Sequence, residues 1–286
     1  MIGQYLITFR EVLEAALIIA IILAYLYRTK RRHLSRYVWY GVSIAIASAL
    51  SLGLFIWLLY GGIPKSAQIL FEGGAALLAV VVLTSMIFWM ATKGKEIQIE
   101  VEQRISAITT RGTVLGLVSF SFIVVFREGL ETVLFLTPFL IDDAVATLIG
   151  AILGIGSALI LSYALFVFGM RINIRRVFYY SSIFLILLAG GLFGYGVHEL
   201  IEYWKYTGVE LGWLGDYAYV LDIARDSILH HKGGVGSIFA VMFGYTVKAE
   251  WARVIVQIAY LAIFIPLITR VYHKQKHSIR DVEVEN

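Results

Sequence analysis

Residues 2–27, IGQYLITFREVLEAALIIAIILAYLY, are long and apolar enough to cross a membrane, yet carry an arginine and two glutamates near their middle. A span needs about 20 mostly apolar residues. A charge at the bilayer centre costs at least about 2.5–3.5 kcal/mol on the insertion scale. The pattern returns once: Phe9-Arg10-Glu11-Val12-Leu13-Glu14 is answered by Phe126-Arg127-Glu128-Gly129-Leu130-Glu131 inside a second apolar run. At 100° per residue, Arg10, Glu11 and Glu14 share one face of a helix, as do Arg127, Glu128 and Glu131. A structural ion pair at i, i+4 would account for one arginine and one glutamate in each helix. It leaves a second glutamate over, twice. Ionisable groups inside a membrane mark substrate or ion paths, and the repeated spacing favours that reading.

The rest of the chain fits a membrane setting. Of its 286 residues 59% are hydrophobic and 15% charged, against about 25% charged in soluble domains, and the mean hydropathy is +0.81. Three prolines and long apolar runs point to helices rather than a strand barrel. With no cysteine, thiolate metal sites and disulfides are excluded. The runs predict an all-α integral membrane protein with seven transmembrane helices near 2–27, 37–60, 67–92, 112–141, 144–168, 178–202 and 249–269. The stretch 203–248 reads as an ordered outer loop with a short helix or two. Residues 2–27 lack a basic leader and a small-x-small cleavage site, so they read as a retained first span rather than a secretory signal.

Basic residues set the orientation. Segments 28–36, 93–111, 169–177 and 270–286 hold 5, 4, 3 and 4 Lys+Arg, 16 together, and the alternate segments hold 5. The positive-inside rule then puts the N-terminus outside and the C-terminus in the cytoplasm. The motifs lie 117 residues and three spans apart, so their helices run oppositely. That predicts one membrane domain, 1–286, built as a 3+3 inverted repeat. Its parts are repeat one at 1–111, repeat two at 112–202, the outer loop, a seventh helix at 249–269 and a cytoplasmic tail at 270–286. Inverted repeats place the substrate site near the midplane, between the halves. Glu11, Glu14, Glu128 and Glu131 are the expected metal ligands there, with Arg10 and Arg127 as counter-ions. Carboxylates are hard donors, and four of them with two arginines leave a formal charge of −2. That suits a multivalent hard cation.

The paired Arg-Glu-x-Leu-Glu motifs resemble those of the oxidase-dependent iron transporter family, the high-affinity iron permeases of fungi and the iron-uptake permeases of bacteria. Glu72-Gly73-Gly74, His198-Glu199-Leu200-Ile201-Glu202 and Phe243-Gly244-Tyr245 are similar to family patterns too, and the resemblance covers essentially the whole chain. It implies a permease, not an enzyme, in the cell membrane. Iron, commonly ferric, is the transported substrate, and no tightly bound cofactor is implied. The expected partners are the iron ion, the lipid bilayer and an extracytoplasmic iron oxidase or iron-delivery protein. One departure is Thr246-Val247-Lys248 where a proline is expected after Phe-Gly-Tyr, which bears on how the chain enters its last helix.

Further acidic groups are candidates for a metal path. Glu72 opens the third span, although a glutamate there also suits the helix dipole. His198, Glu199 and Glu202 close the sixth, with His198 and Glu202 on one face. HELIE falls one letter short of a zinc-peptidase motif, and Glu202 stands where that chemistry needs histidine. Asp142, Asp143, Asp216, Asp222 and Asp226 lie on the outer side as solvated loop charge or a cation funnel. Two alternatives remain at this level: a transporter of another hard metal, manganese or lead, and a membrane-embedded carboxylate di-iron enzyme. The second lacks the Glu-x-x-His pairs of such bundles.

Overall fold

A computed structural model describes the chain except for residues 1, 94–96, 111–113, 169–173, 225–226, 230–233 and 285–286. Its long helices are α1 (Ile2–Arg28), α2 (Ser35–Gly62), α3 (Lys65–Lys93), α5 (Val114–Asp142), α6 (Ala144–Phe168), α7 (Ile174–Tyr206) and α9 (Trp251–Val284). Shorter are α4 (Ile97–Thr110) and α8 (Gly234–Phe243), with strands β1 (Tyr217–Val220) and β2 (Lys248–Glu250). Among the described residues five helices, α2, α3, α6, α7 and α9, are long and apolar enough to cross a membrane. At 27 and 29 residues, α1 and α5 are as long. They fall outside that set on composition, because the motif charges leave no stretch of 18 residues with fewer than three.

Local sequence sets the breaks. Gly61-Gly62-Ile63-Pro64 ends α2 and starts α3, with Pro64 accepting a hydrogen bond from the Gln68 amide. Between α5 and α6 the single residue Asp143 serves as N-cap: its Oδ1 accepts from the Ala146 amide at 3.0 Å. That is a structural use for one of the outer aspartates. Asp226 and the side chain of Asp142 lie outside the described residues.

The helices fall into two compact units, each discontinuous in sequence. The first holds α1, α2, α4, α5 and α6. Glycines let its backbones touch. A Cβ on Gly41 of α2 would lie 2.4 Å from the Val118 carbonyl of α5, and one on Gly154 of α6 would lie 2.6 Å from the Tyr5 carbonyl of α1. At one end Ile19, Ile22, Leu26, Val38, Val42, Val101, Ile105 and Leu117 form a buried cluster. Val101 and Ile105 belong to α4, in a stretch read from sequence only as a polar connection. Its charges hide an i, i+4 apolar stripe, and Glu102 ties it to Arg28 at 2.8 Å.

The second unit holds α3, α7, α8, α9 and the strands. Here α3 and α7 meet at glycines on both sides. A Cβ on Gly73 would stand 3.2 Å from the Gly196 carbonyl oxygen, and one on Gly196 equally 3.2 Å from that of Gly73. Strands β1 and β2 pair antiparallel with Tyr217 opposite Glu250. Within 203–248, α8 is a short helix of the kind the sequence suggests, while the hairpin of β1 and β2 was not foreseen. Before the stretch where a proline was expected, Gly244 turns the chain at φ +61°, and Lys248 of that stretch opens β2, which leads directly into α9.

Large side chains on α2 and α6 point away from the protein: Leu50 is 70% exposed and Ile160 73%. Apolar surface of that extent suits hydrocarbon, and the chain is a membrane protein.

Candidate metal-transport site

Both charged motifs lie in the first unit, on α1 and α5. Arg10, Glu11 and Glu128 are buried and Glu14 and Glu131 nearly so, while Arg127 is half exposed. Arg10 Nη1 donates to Glu11 Oε1 at 2.6 Å, and Arg10 Nη2 lies 2.8 Å from Glu14 Oε1. On α5 Arg127 Nε donates to Glu131 Oε1 at 2.9 Å. Both i, i+4 pairs expected from the spacing are thus present.

The glutamates reach further than these pairs. One carboxylate oxygen each from Glu11, Glu128 and Glu131 gather within 4.8 Å of one another. Glu11 is fully buried and Glu128 nearly so. Among the described residues, Oε2 of Glu11, Glu128 and Glu131 and Oε1 of Glu14 are buried without a hydrogen-bond partner, although Glu14 Oε1 is ion-paired with Arg10. A buried, unsatisfied carboxylate oxygen is expensive. Three of these glutamates bring one carboxylate oxygen each into a small volume, a donor set that a hard cation would complete. Glu14, the fourth residue expected there, is instead held on Arg10.

Two further matches between α1 and α5 escaped the motif reading. Tyr5 stacks on Phe9 with ring centroids 5.9 Å apart, and Phe122 on Phe126 at 5.1 Å. Gln4 and Ser121, seven residues before Glu11 and Glu128, are both buried with an oxygen unpartnered. The offset of 117 that relates the motifs relates these residues as well. Laying one helix over the other residue by residue would have found them.

The secondary candidates all lie in the other unit. Tyr195 donates from its hydroxyl to Glu72 Oε2 at 3.0 Å, across the α3–α7 contact that Gly73 and Gly196 make close. One helical turn on, Glu199 is buried in the same contact. His198 Nδ1 lies 3.0 Å from Glu250 of β2, and its Nε2 lies 3.8 Å from Glu202. Burial opposes the charge on Glu250, but the His198 hydrogen bond and the positive charge nearby outweigh it and hold the carboxyl below its ordinary range. His198 therefore ties α7 to the hairpin. Tyr195 and Glu250 were not foreseen, since neither belongs to a spaced motif and only the fold brings them to α3 and α7.

Comparison with known proteins covers the same length of chain. Residues 1–271 match the iron permease FTR1 family. An uncharacterized protein of Archaeoglobus fulgidus is 45% identical over 272 residues, 95% of this chain and 96% of its own. The ferrous iron permease EfeU of Escherichia coli O6:K15:H31 is 35% identical over 266 residues, 91% of this chain and 92% of its own. EfeU of Yersinia pestis is likewise 35% identical over 266 residues, 91% and 90% of the two chains. No solved structure matches the chain. With paired motifs on two helices and a family match over nearly the full length, the chain belongs to the iron permease FTR1 family.

Proposed function

We propose that this protein carries iron across the cell membrane, and that the ion passes through the carboxylates of Glu11, Glu128 and Glu131, with Glu14 as a fourth ligand. The observation that carries the proposal is the convergence of three buried carboxylate oxygens within 4.8 Å on helices long enough to span. Arg10 and Arg127 balance the charge of the empty site. Glu72, His198, Glu199 and Glu202 form a path for the ion in the second unit. The orientation is N-terminus outside, from the basic asymmetry.

The 3+3 inverted repeat belongs to the same proposal. Under it α1, α2 and α3 correspond to α5, α6 and α7. Each corresponding pair then falls within one unit, α1 with α5 and α2 with α6 in the first, α3 with α7 in the second. The contacts are alike in kind, though shifted by one helical turn from the offset that relates the motifs. Gly41 of α2 packs on α5 as Gly154 of α6 packs on α1, and Gly73 and Gly196 pack on each other. These correspondences support a site shared by the two repeats.

Ferric iron suits a site of carboxylates alone, since it is the harder ion. The names of the bacterial relatives favour ferrous iron. An extracytoplasmic oxidase or delivery protein would reconcile the two. Uptake by the purified protein in liposomes, with ferric, ferrous and manganous ions in parallel, tests the proposal. Iron in one oxidation state should enter at least about tenfold faster than manganese, a difference of 1.4 kcal/mol. Equal entry of all three would make the protein a general hard-metal transporter.

A further inference from the structure

The two motif arginines are held differently. Only 6% of the Arg10 side chain is exposed, and its two terminal nitrogens lie within 2.8 Å of Glu11 and Glu14 oxygens. Arg127 is 47% exposed and meets Glu131 through Nε. Glu14 and Glu131 occupy the same place in their motifs and are equally deep, with side chains 11% and 12% exposed. Glu131 belongs to the trio of converging oxygens, and Glu14 does not. Depth does not separate them. The arginine does.

We infer that Arg10 is a positioning residue that withholds Glu14 from the metal, so that the site has a three-carboxylate and a four-carboxylate state. The inference rests on the reading of Glu11, Glu128 and Glu131 as the iron site. A guanidinium is a planar fork that spans two carboxylates at once, and Arg10 uses it to hold Glu14 while taking one oxygen of Glu11. When Arg10 turns away, Glu14 stands one turn from Glu11 on the same face and adds a donor and a negative charge to the site. The ion is then held tightly. When Arg10 recaptures Glu14, the donor set shrinks and the ion is released.

The experiment is iron binding by the purified full chain in detergent, with ferrous iron under nitrogen and ferric citrate in parallel, beside uptake in liposomes. Arg10→Gln frees Glu14. Binding should tighten at least about tenfold, the scale on which groups orienting metal ligands act, while maximal uptake falls because release slows. In a Glu14→Ala background the same substitution should no longer tighten binding, whereas loss of a positive charge alone would tighten it in both backgrounds. Arg127→Gln should tighten binding less than Arg10→Gln. Should Arg10→Gln fail to insert, Arg10→Lys keeps the charge and loses the fork, and should show part of the tightening. Unchanged affinity in the Arg10 variants, or equal tightening with and without Glu14, overturns the inference and leaves the iron site standing. Normal iron binding by Glu128→Ala overturns the site itself.

Discussion

Glu11, with no exposed surface, and Glu128, at 6%, are among the most deeply buried charged side chains described. Carboxylates at such depth persist where they are paired or bind a cation. Arg10 satisfies one oxygen of Glu11, and Arg127 satisfies one oxygen of Glu131. One oxygen of each of Glu11, Glu128 and Glu131 lies within 4.8 Å of the other two. Replacing Glu131 by alanine deletes one of three converging donors, and iron uptake should fall more than about 100-fold, beyond the loss typical of a group that merely supports a metal ligand. The protein should still reach the membrane, because the change removes a charge from the hydrocarbon region. Uptake by Glu131→Ala within about threefold of the parent, at matched membrane abundance, would make the second motif structural.

Helices α1 and α5 hold these side chains only as firmly as they themselves are held, and each is seated through a glycine on its neighbour. The carbonyl that faces Gly41, like the one that faces Gly154, belongs to backbone and cannot swing aside as a side chain could. An added methyl at either position should therefore act alike. Gly41→Ala and Gly154→Ala should each destabilise the protein by about 1–3 kcal/mol, the usual range for overpacking. Thermal unfolding in detergent measures it. Gly74 and Gly156, which have open space where a Cβ would stand, are the controls and should tolerate alanine. A large loss at Gly41 with none at Gly154 would count against the proposed correspondence of α2 with α6.

At the scale of the molecule the orientation remains the most direct property to test, because the chain has no cysteine to label in the background. Ser35 begins α2 beside the basic run 28–36, while Ser66 lies in the first turn of α3 and Ser227 in the stretch 203–248 proposed to face outside. In intact cells an impermeant thiol reagent should label Ser66→Cys and Ser227→Cys and leave Ser35→Cys unlabelled until the cells are opened. Labelling of Ser35→Cys from outside would invert the topology and with it the direction in which the outer loop faces.

Much of this was legible along the chain, for a physical reason. Apolar runs and basic connections report solvent preference residue by residue, so long helices appear in a one-dimensional reading. Charges in hydrocarbon are costly enough that Arg10, Glu11, Glu14, Arg127, Glu128 and Glu131 stood out at once. The amphipathic α4 stayed hidden because its polar face lowers its mean hydropathy, and the hairpin because its pairing joins residues 217 and 250 across the outer loop. The sequence by itself determined the membrane class, the helical character and which carboxylates are candidate ligands. Only the tertiary structure decided which helices share a unit, that Tyr195 and Glu250 join the α7 group, and that three glutamates converge while Glu14 rests on Arg10. Those outcomes depend on distances between residues far apart in the chain, and two motifs with the same charged residues at the same spacing carry no record of which arginine is buried.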